Sequence, residues 1–235
     1  QEYVDVESEA IEDLVDDGLL THDTDRPQRL YSVTPDGRSE IGEQYRKGVD
    51  YGHGVGDLEE TSQHVLAVEV GRQYLEAHYV DDDESPVVEV VPYFELEGND
   101  TAVAAASAMG GDPDQLQEEM DEYKRSRIDV VGLDEEGSVR VTIEAERINH
   151  DLRRAAPEDF DKMAACDPDE ALWVTMSHSE GHEILAALNE PLEGEPRVEK
   201  TYAQSTPVGQ FRIDEPGCTG FYTVEQMRDL VDEAE

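Results

Sequence analysis

The sequence predicts an α/β fold, a mixed central sheet flanked by helices, with a small helix-and-hairpin segment ahead of it. Three observations carry this. Residues 127–146 read as two strands joined at Glu135-Glu136-Gly137, with clean alternation over Ser138–Glu146. Ala171–Met176 (ALWVTM) reads as a buried strand between helical stretches at 157–166 and 179–189. Ile11, Leu14 and Val15 share one helical face, and two short strand patterns follow at Leu19-Leu20 and 29–34, which sets the opening segment apart. Strands interleaved with helices call for a sheet covered by helices.

Charge is the strongest compositional signal. The chain has 235 residues, 59 Asp+Glu against 18 Lys+Arg, and a formal net charge of -41. Its only lysines are Lys47, Lys124, Lys162 and Lys200. Acid this dense often marks disorder, but 37% of the residues are hydrophobic, and those residues are periodic. A folded chain kept in molar salt fits better, because there the Debye length falls to about 3 Å and carboxylate repulsion is screened. The acidic, lysine-poor composition resembles that of haloarchaeal proteins. Cys166 and Cys218 stand far apart, which argues against a zinc ribbon or a disulfide framework. The sequence shows no signal peptide and no apolar run of membrane-spanning length, so a cytoplasmic protein without a membrane partner is expected. The opening reads as cut within a module, and the natural chain is expected to begin before Gln1.

Taken in order, residues 5–20 form an amphipathic helix ended by Asp17-Gly18. RLYSVT (29–34) is a short strand, Thr34-Pro35-Asp36-Gly37 a turn, and a polar helix follows to about Lys47. Residues 48–57, with four glycines, are a linker. Asp57 and Glu60 signal the cap of a helix running to about Tyr79. Residues 87–97 are a strand, bent or at a sheet edge because of Pro92. Asp112-Pro113 opens a helix ending near Tyr123. After the hairpin, a short helix spans Pro157–Cys166, and residues 198–213 read as a strand pair. Thr223 and Gln226 have the spacing of a capping box for a last helix at 224–234.

The order helix, DGLL, polar loop and YSVTPDGR resembles the second half of a winged helix-turn-helix, over about 40 residues. The resemblance implies DNA contact. The helix near 6–16 fits either a recognition helix or a packing surface, and its acidity is unusual for the major groove.

The hairpin carries the chemistry. Asp129 lies on its first strand, and Glu144 and Glu146 lie two apart on the second, so both glutamates share a face. Carboxylates converging from neighbouring strands are the hard oxygen ligands that Mg²⁺ takes. The arrangement resembles the PD-(D/E)XK, or restriction-endonuclease-like, nuclease superfamily, and the stretches DVVGLDEEGSVRVTIEAER, DFDKM and ALWVTM resemble nuclease-fold proteins of haloarchaeal mobile elements. The resemblance covers about residues 58–190. It implies metal-dependent phosphodiester hydrolysis, with Asp129 and Glu144 as metal ligands and Asp129, Glu144 and Glu146 as the catalytic set. Glu146 stands where the superfamily usually has lysine. A non-catalytic DNA-binding descendant would share the pattern. His64 and Glu69 lie on the helix where the superfamily often carries a further acid.

Twelve of the 18 basic residues fall within 26–47 and 124–154. Basics kept at the wing and the hairpin are those a phosphate backbone would meet. Arg26, Arg29, Arg38, Arg125, Arg127 and Arg147 are therefore the expected DNA contacts. His178 and His182 share a helical face but lack a third ligand, and Trp173 reads as core. The expected organisation is a partial winged helix (1–47), a linker (48–57), the α/β domain (58–190) and a C-terminal extension (191–235). DNA is the expected partner, Mg²⁺ the expected cofactor, and a homodimer a further expectation. A protein-interaction module without nucleic acid is the third reading.

Overall fold

The computed structural model describes residues 8–25, 28–42, 62–80, 82, 84–96, 127–146 and 151–234. The expected linker, the helix at 112–123, and Arg26, Arg125 and Arg147 lie outside them. The chain divides into two compact units, residues 1–66 and 67–235.

In the first unit, α1 (Ser8–Asp16) is followed by β1 (Leu20–Thr24), β2 (Leu30–Val33) and α2 (Pro35–Glu40). The strands form an antiparallel hairpin, with Leu20 opposite Val33 and an irregularity between His22 and Thr24. The expected turn at Thr34-Pro35-Asp36-Gly37 is instead the start of α2. Thr34 Oγ1 accepts from the Gly37 N–H at 3.0 Å, and Pro35 occupies the first turn, where its missing donor costs nothing. Gly37 has a steric reason: a Cβ there would fall 2.3 Å from the Leu19 carbonyl oxygen.

Helix α3 (Ser62–Leu75) crosses the division between the units and ends in a π-turn at Glu76–Val80. The second unit is built on five strands: β3 (Glu89–Glu95), β4 (Arg127–Leu133), β5 (Val139–Ala145), β6 (Glu170–Thr175) and β7 (Gly220–Thr223). They lie in that order, β3–β4–β5 antiparallel and β5–β6–β7 parallel. Helix α4 (Leu152–Ala165) connects β5 to β6, α5 (His178–Asn189) follows β6, and α6 (Val224–Ala234) follows β7. The fold is thus α/β, with a mixed sheet flanked by helices. None of the described helices is long and apolar enough to cross a membrane.

One sheet face packs on α4 and α5. Ala171, Trp173 and Phe221 meet Ala156, Phe160 and Met163 of α4 and Ile184, Leu185 and Leu188 of α5. Trp173 is fully buried, as expected, and its indole N–H donates to the Gly217 carbonyl at 2.9 Å. On the other face, α3 approaches closely enough that a Cβ at Gly71 would lie 3.3 Å from Ile143. Pro92 sits on β3, at the edge of the described sheet, where a missing donor is tolerated. Tyr93, next in line, takes a left-handed φ of 54°.

Two sequence expectations are corrected. The helix expected at Pro157 begins at Leu152, five residues earlier, with Pro157 inside it. The Arg153 carbonyl, which Pro157 leaves without a helical donor, accepts from the Leu192 N–H at 3.0 Å, so the proline is accommodated. The strand pair expected at 198–213 is an irregular strap with one 3-10 turn, Val208–Gln210. Its apolar residues Val198, Val208, Phe211 and Ile213 enter the core one by one instead of alternating. The Asn189 amide donates to the Val198 and Lys200 carbonyls, and the Tyr202 hydroxyl bonds both the Arg212 N–H and C=O. Beyond residue 190 the chain also supplies the fifth strand, β7. The capping box is present, with Thr223 N–H donating to Gln226 Oε1 and Gln226 N–H to Thr223 Oγ1.

Candidate active site

The register of β4 on β5 pairs Val130 with Ile143 and Val131 with Thr142. One rung further along, Asp129 faces Glu144, and both side chains project from the sheet face covered by α4. The turn that joins the two strands is held by Asp134, whose Oδ1 accepts from the Glu136 and Ser138 N–H groups and whose Oδ2 takes Arg140 Nε at 2.7 Å, and a register shift between Gly132 and Leu133 separates it from the site. Gly137 closes the turn at φ 78°, a conformation glycine adopts without strain.

Asp129 and Glu144 are 6% and 4% exposed. Asp129 Oδ2 accepts the Ala145 N–H at 2.9 Å, which ties the two strands at the site. Glu144 faces α4, and from that helix comes Lys162, only 9% exposed. Its Nζ lies 2.7 Å from Glu144 Oε1 and 2.8 Å from Asp159 Oδ1. The two contacts differ in kind. Lys162 donates a directional hydrogen bond to Asp159, three residues earlier on the same helix. Towards Glu144 it forms a buried ion pair that crosses from helix to strand.

Burial pushes the Glu144 carboxyl well above the usual carboxylate range; Lys162 opposes this, while Asp129 and Asp159 reinforce it. Burial pulls the Lys162 ammonium the other way, but Glu144 and Asp159 outweigh it and hold the ammonium above its usual range. Two carboxylates thus share one buried ammonium.

Arg127, at the start of β4, stacks its guanidinium 4.6 Å from the centre of the Tyr93 ring and is 6% exposed. Glu146 follows the end of β5, half-buried, with its N–H on the Val174 carbonyl at 3.1 Å. Among the described residues no three His, Cys, Asp or Glu side chains gather as a metal-holding group. The structure thus brings Asp129 and Glu144 together and adds Lys162 and Asp159, which sequence reasoning missed. A signal was there: in so lysine-poor a chain, Lys162 stands between Phe160 and Met163 on the buried side of its helix, three residues after an acid.

The remaining candidates are dispersed. Arg29 is exposed, 3.6 Å from Asp25, and Arg38 is half-buried on α2. Glu69 is held by Arg72 at 2.8 Å. His178 Nδ1 accepts the Val208 N–H at 3.3 Å and His182 Nε2 meets the Thr206 carbonyl at 2.9 Å, so both histidines fasten the strap to α5. An open hollow of about 210 Å³ lies at the opposite end of β5 and β6, lined in part by Tyr79, Arg140, Asp169 and Glu170. Its polar groups close on one another: Arg140 on Asp134 and Asp169, Tyr79 on Glu170 at 3.0 Å. Comparison with family models, curated proteins and solved structures finds no match to this chain.

Proposed function

We propose that this protein binds DNA and hydrolyses its phosphodiester bonds with Mg²⁺, using Asp129, Glu144 and Lys162. The observation that carries the reading is the side-by-side placement of Asp129 and Glu144 with Lys162 Nζ 2.7 Å from Glu144. An acid, a second acid and a lysine are the functional groups expected of the PD-(D/E)XK superfamily, with the lysine supplied by a helix instead of by position 146. The order α3, β3–β4–β5, α4, β6 also suits the helix, strand, hairpin, helix, strand plan of that superfamily.

Two hard carboxylates, Asp129 and Glu144, stand on adjacent strands, and such oxygens are the donors Mg²⁺ takes. Asp129 and Glu144 would hold the ion. Bound there, Mg²⁺ would polarise a phosphate oxygen and lower the pKa of water. Lys162, kept protonated by its two acids, offsets charge gathering on the phosphate oxygens. Asp159 holds Lys162 in place, and the Ala145 N–H orients Asp129. Arg29 and Arg38, with Arg26, Arg125 and Arg147, supply the positive charge that meets the backbone.

A second reading is a DNA-binding platform without catalysis. It is favoured by the burial of Asp129, Glu144 and Lys162, each nine-tenths or more removed from solvent. Labelled single- and double-stranded DNA incubated with Mg²⁺ or Mn²⁺ in molar KCl distinguishes the two. Cleavage by the wild type and none by Glu144→Ala supports hydrolysis; binding without cleavage supports the platform; neither leaves an interaction module.

A further inference from the structure

The strap at 198–213 departs from the charge pattern of the rest of the chain. Residues 200–213 hold no Asp or Glu, and no other stretch of this acidic sequence runs as long without one. They carry two cations, Lys200 and Arg212, both exposed. Elsewhere in the second unit, Arg72, Arg140, Arg153, Arg154, Lys162 and Arg197 each sit on a carboxylate. Lys200 and Arg212 pair with no carboxylate among the described residues. Lys200 Nζ donates to the Arg212 carbonyl, and Arg212 Nη1 donates to the Gly209 and Phe211 carbonyls at 3.2 and 2.9 Å. The other edge of the guanidinium, Nε and Nη2, donates to no described residue.

The backbone that carries these cations is fixed. The Asn189 amide holds the Lys200 carbonyl, and the Tyr202 hydroxyl holds the Arg212 N–H and C=O. The Tyr202 ring stacks on the buried Phe211 with centres 4.4 Å apart. Two like charges are thus anchored to neighbouring backbone with donors to spare and no acid to neutralise them, which favours an anion. Thr201, Gln204, Ser205 and Gln210, exposed between them, are uncharged donors of the kind that meet phosphate oxygens. No large apolar side chain is exposed on residues 200–213, so the stretch lacks the apolar centre of a protein interface.

Resting on the reading of this chain as a DNA-binding protein, we propose that the strap is a contact surface for the phosphodiester backbone, with Lys200 and Arg212 each meeting a phosphate. The Nε–Nη2 edge of Arg212 takes two phosphate oxygens side by side, and Lys200 acts as a point charge. Both groups stand in place before binding, so little ordering is required, and the contact carries no sequence preference of its own.

The test is the binding of a fluorescent DNA duplex to the full chain, read by anisotropy in EDTA so that no strand is cut. It is run over a series of KCl concentrations at which Trp173 fluorescence shows the chain folded. The logarithm of affinity falls with the logarithm of salt, at a slope set by the number of phosphates neutralised. Lys200→Gln and Arg212→Gln should each lower that slope by about 0.9, and the double variant by about 1.8, whatever the duplex sequence. Arg197→Gln, which removes a cation already held by Asp161, should leave the slope unchanged. Lys200 bonds a single carbonyl, so its variant serves if Arg212→Gln does not fold. Wild-type binding with the same slope in the strap variants, or an equal drop in Arg197→Gln, overturns the strap contact and leaves DNA binding standing. No DNA binding by the wild type overturns both readings, and Lys200-dependent binding of polyglutamate in its place assigns the strap to an acidic protein.

Discussion

Replacing Lys162 by methionine should destabilise the second unit by about 3 kcal/mol. Methionine keeps much of the stem's volume, so the cost is electrostatic. The side chains of Lys162 and Glu144 are only 7% and 6% exposed, and among the described residues Lys162 is the one cation paired with Glu144. Removing one partner of such a pair typically costs about 3–5 kcal/mol. The lower end applies here, because burial already favours a protonated Glu144 and the Asp159 side chain, 20% exposed, regains water. With a urea slope of about 2 kcal/mol per molar, the midpoint should fall by about 1.5 M. Trp173 is the single tryptophan, fully buried, and the parallel-strand partner of Glu144, so its fluorescence reports this unit directly. In the Lys162→Met/Glu144→Gln double variant the losses should be less than additive by about 2 kcal/mol. A midpoint shift below about 0.5 M, or additive losses, would refute the buried ion pair.

Other consequences follow from the packing. Gly217→Ala would place a Cβ 2.2 Å from the Phe160 carbonyl oxygen, against backbone that cannot yield; a loss of about 2 kcal/mol or more is expected in the same urea titration. Thr223→Ala removes one half of the capping box and should cost about 1 kcal/mol, with faster amide exchange confined to the first turn of α6. Burial raises both thiols, Cys218 by far the more, so iodoacetamide at neutral pH should leave Cys218 unlabelled until the unit unfolds. The Ser138 N–H, with Arg140, holds the Asp134 carboxyl below its ordinary range. A lowered folded pKa gives stability that is present above the unfolded value of about 3.9 and is lost as pH falls through the folded one. Asp134→Asn should therefore flatten the acid limb of hairpin stability, followed by amide exchange at Glu136 and Ser138.

Much of this architecture is legible in the residues because local and global preferences agree. Alternation over 138–146, the Gly137 turn and the apolar run of β6 each point to a strand or a turn, and burial on both sheet faces reinforces them. Asp129 and Glu144 could be assigned to one hairpin, though a register shift between Gly132 and Leu133 decides that they face each other. Lys162 could not: its meeting with Glu144 depends on how α4 lies across the sheet, which no local pattern encodes. The strap at 198–213 misleads for a related reason. Its apolar residues imitate strand spacing, but their partners lie in α5 and in the sheet face below. Pro157 reads as a helix start because the donor that rescues the Arg153 carbonyl comes from Leu192, far along the chain.

The central claim is that the third polar group of the site comes from α4 and not from position 146. Its most direct test is the rate of Mn²⁺-dependent DNA cleavage in molar KCl by the wild type, Lys162→Met and Glu146→Gln, each confirmed folded by Trp173 fluorescence. Lys162→Met should lose at least a hundredfold, and Glu146→Gln should stay within a few fold of the wild type. Full activity in Lys162→Met, together with loss in Glu146→Gln, would contradict it and return the role to Glu146.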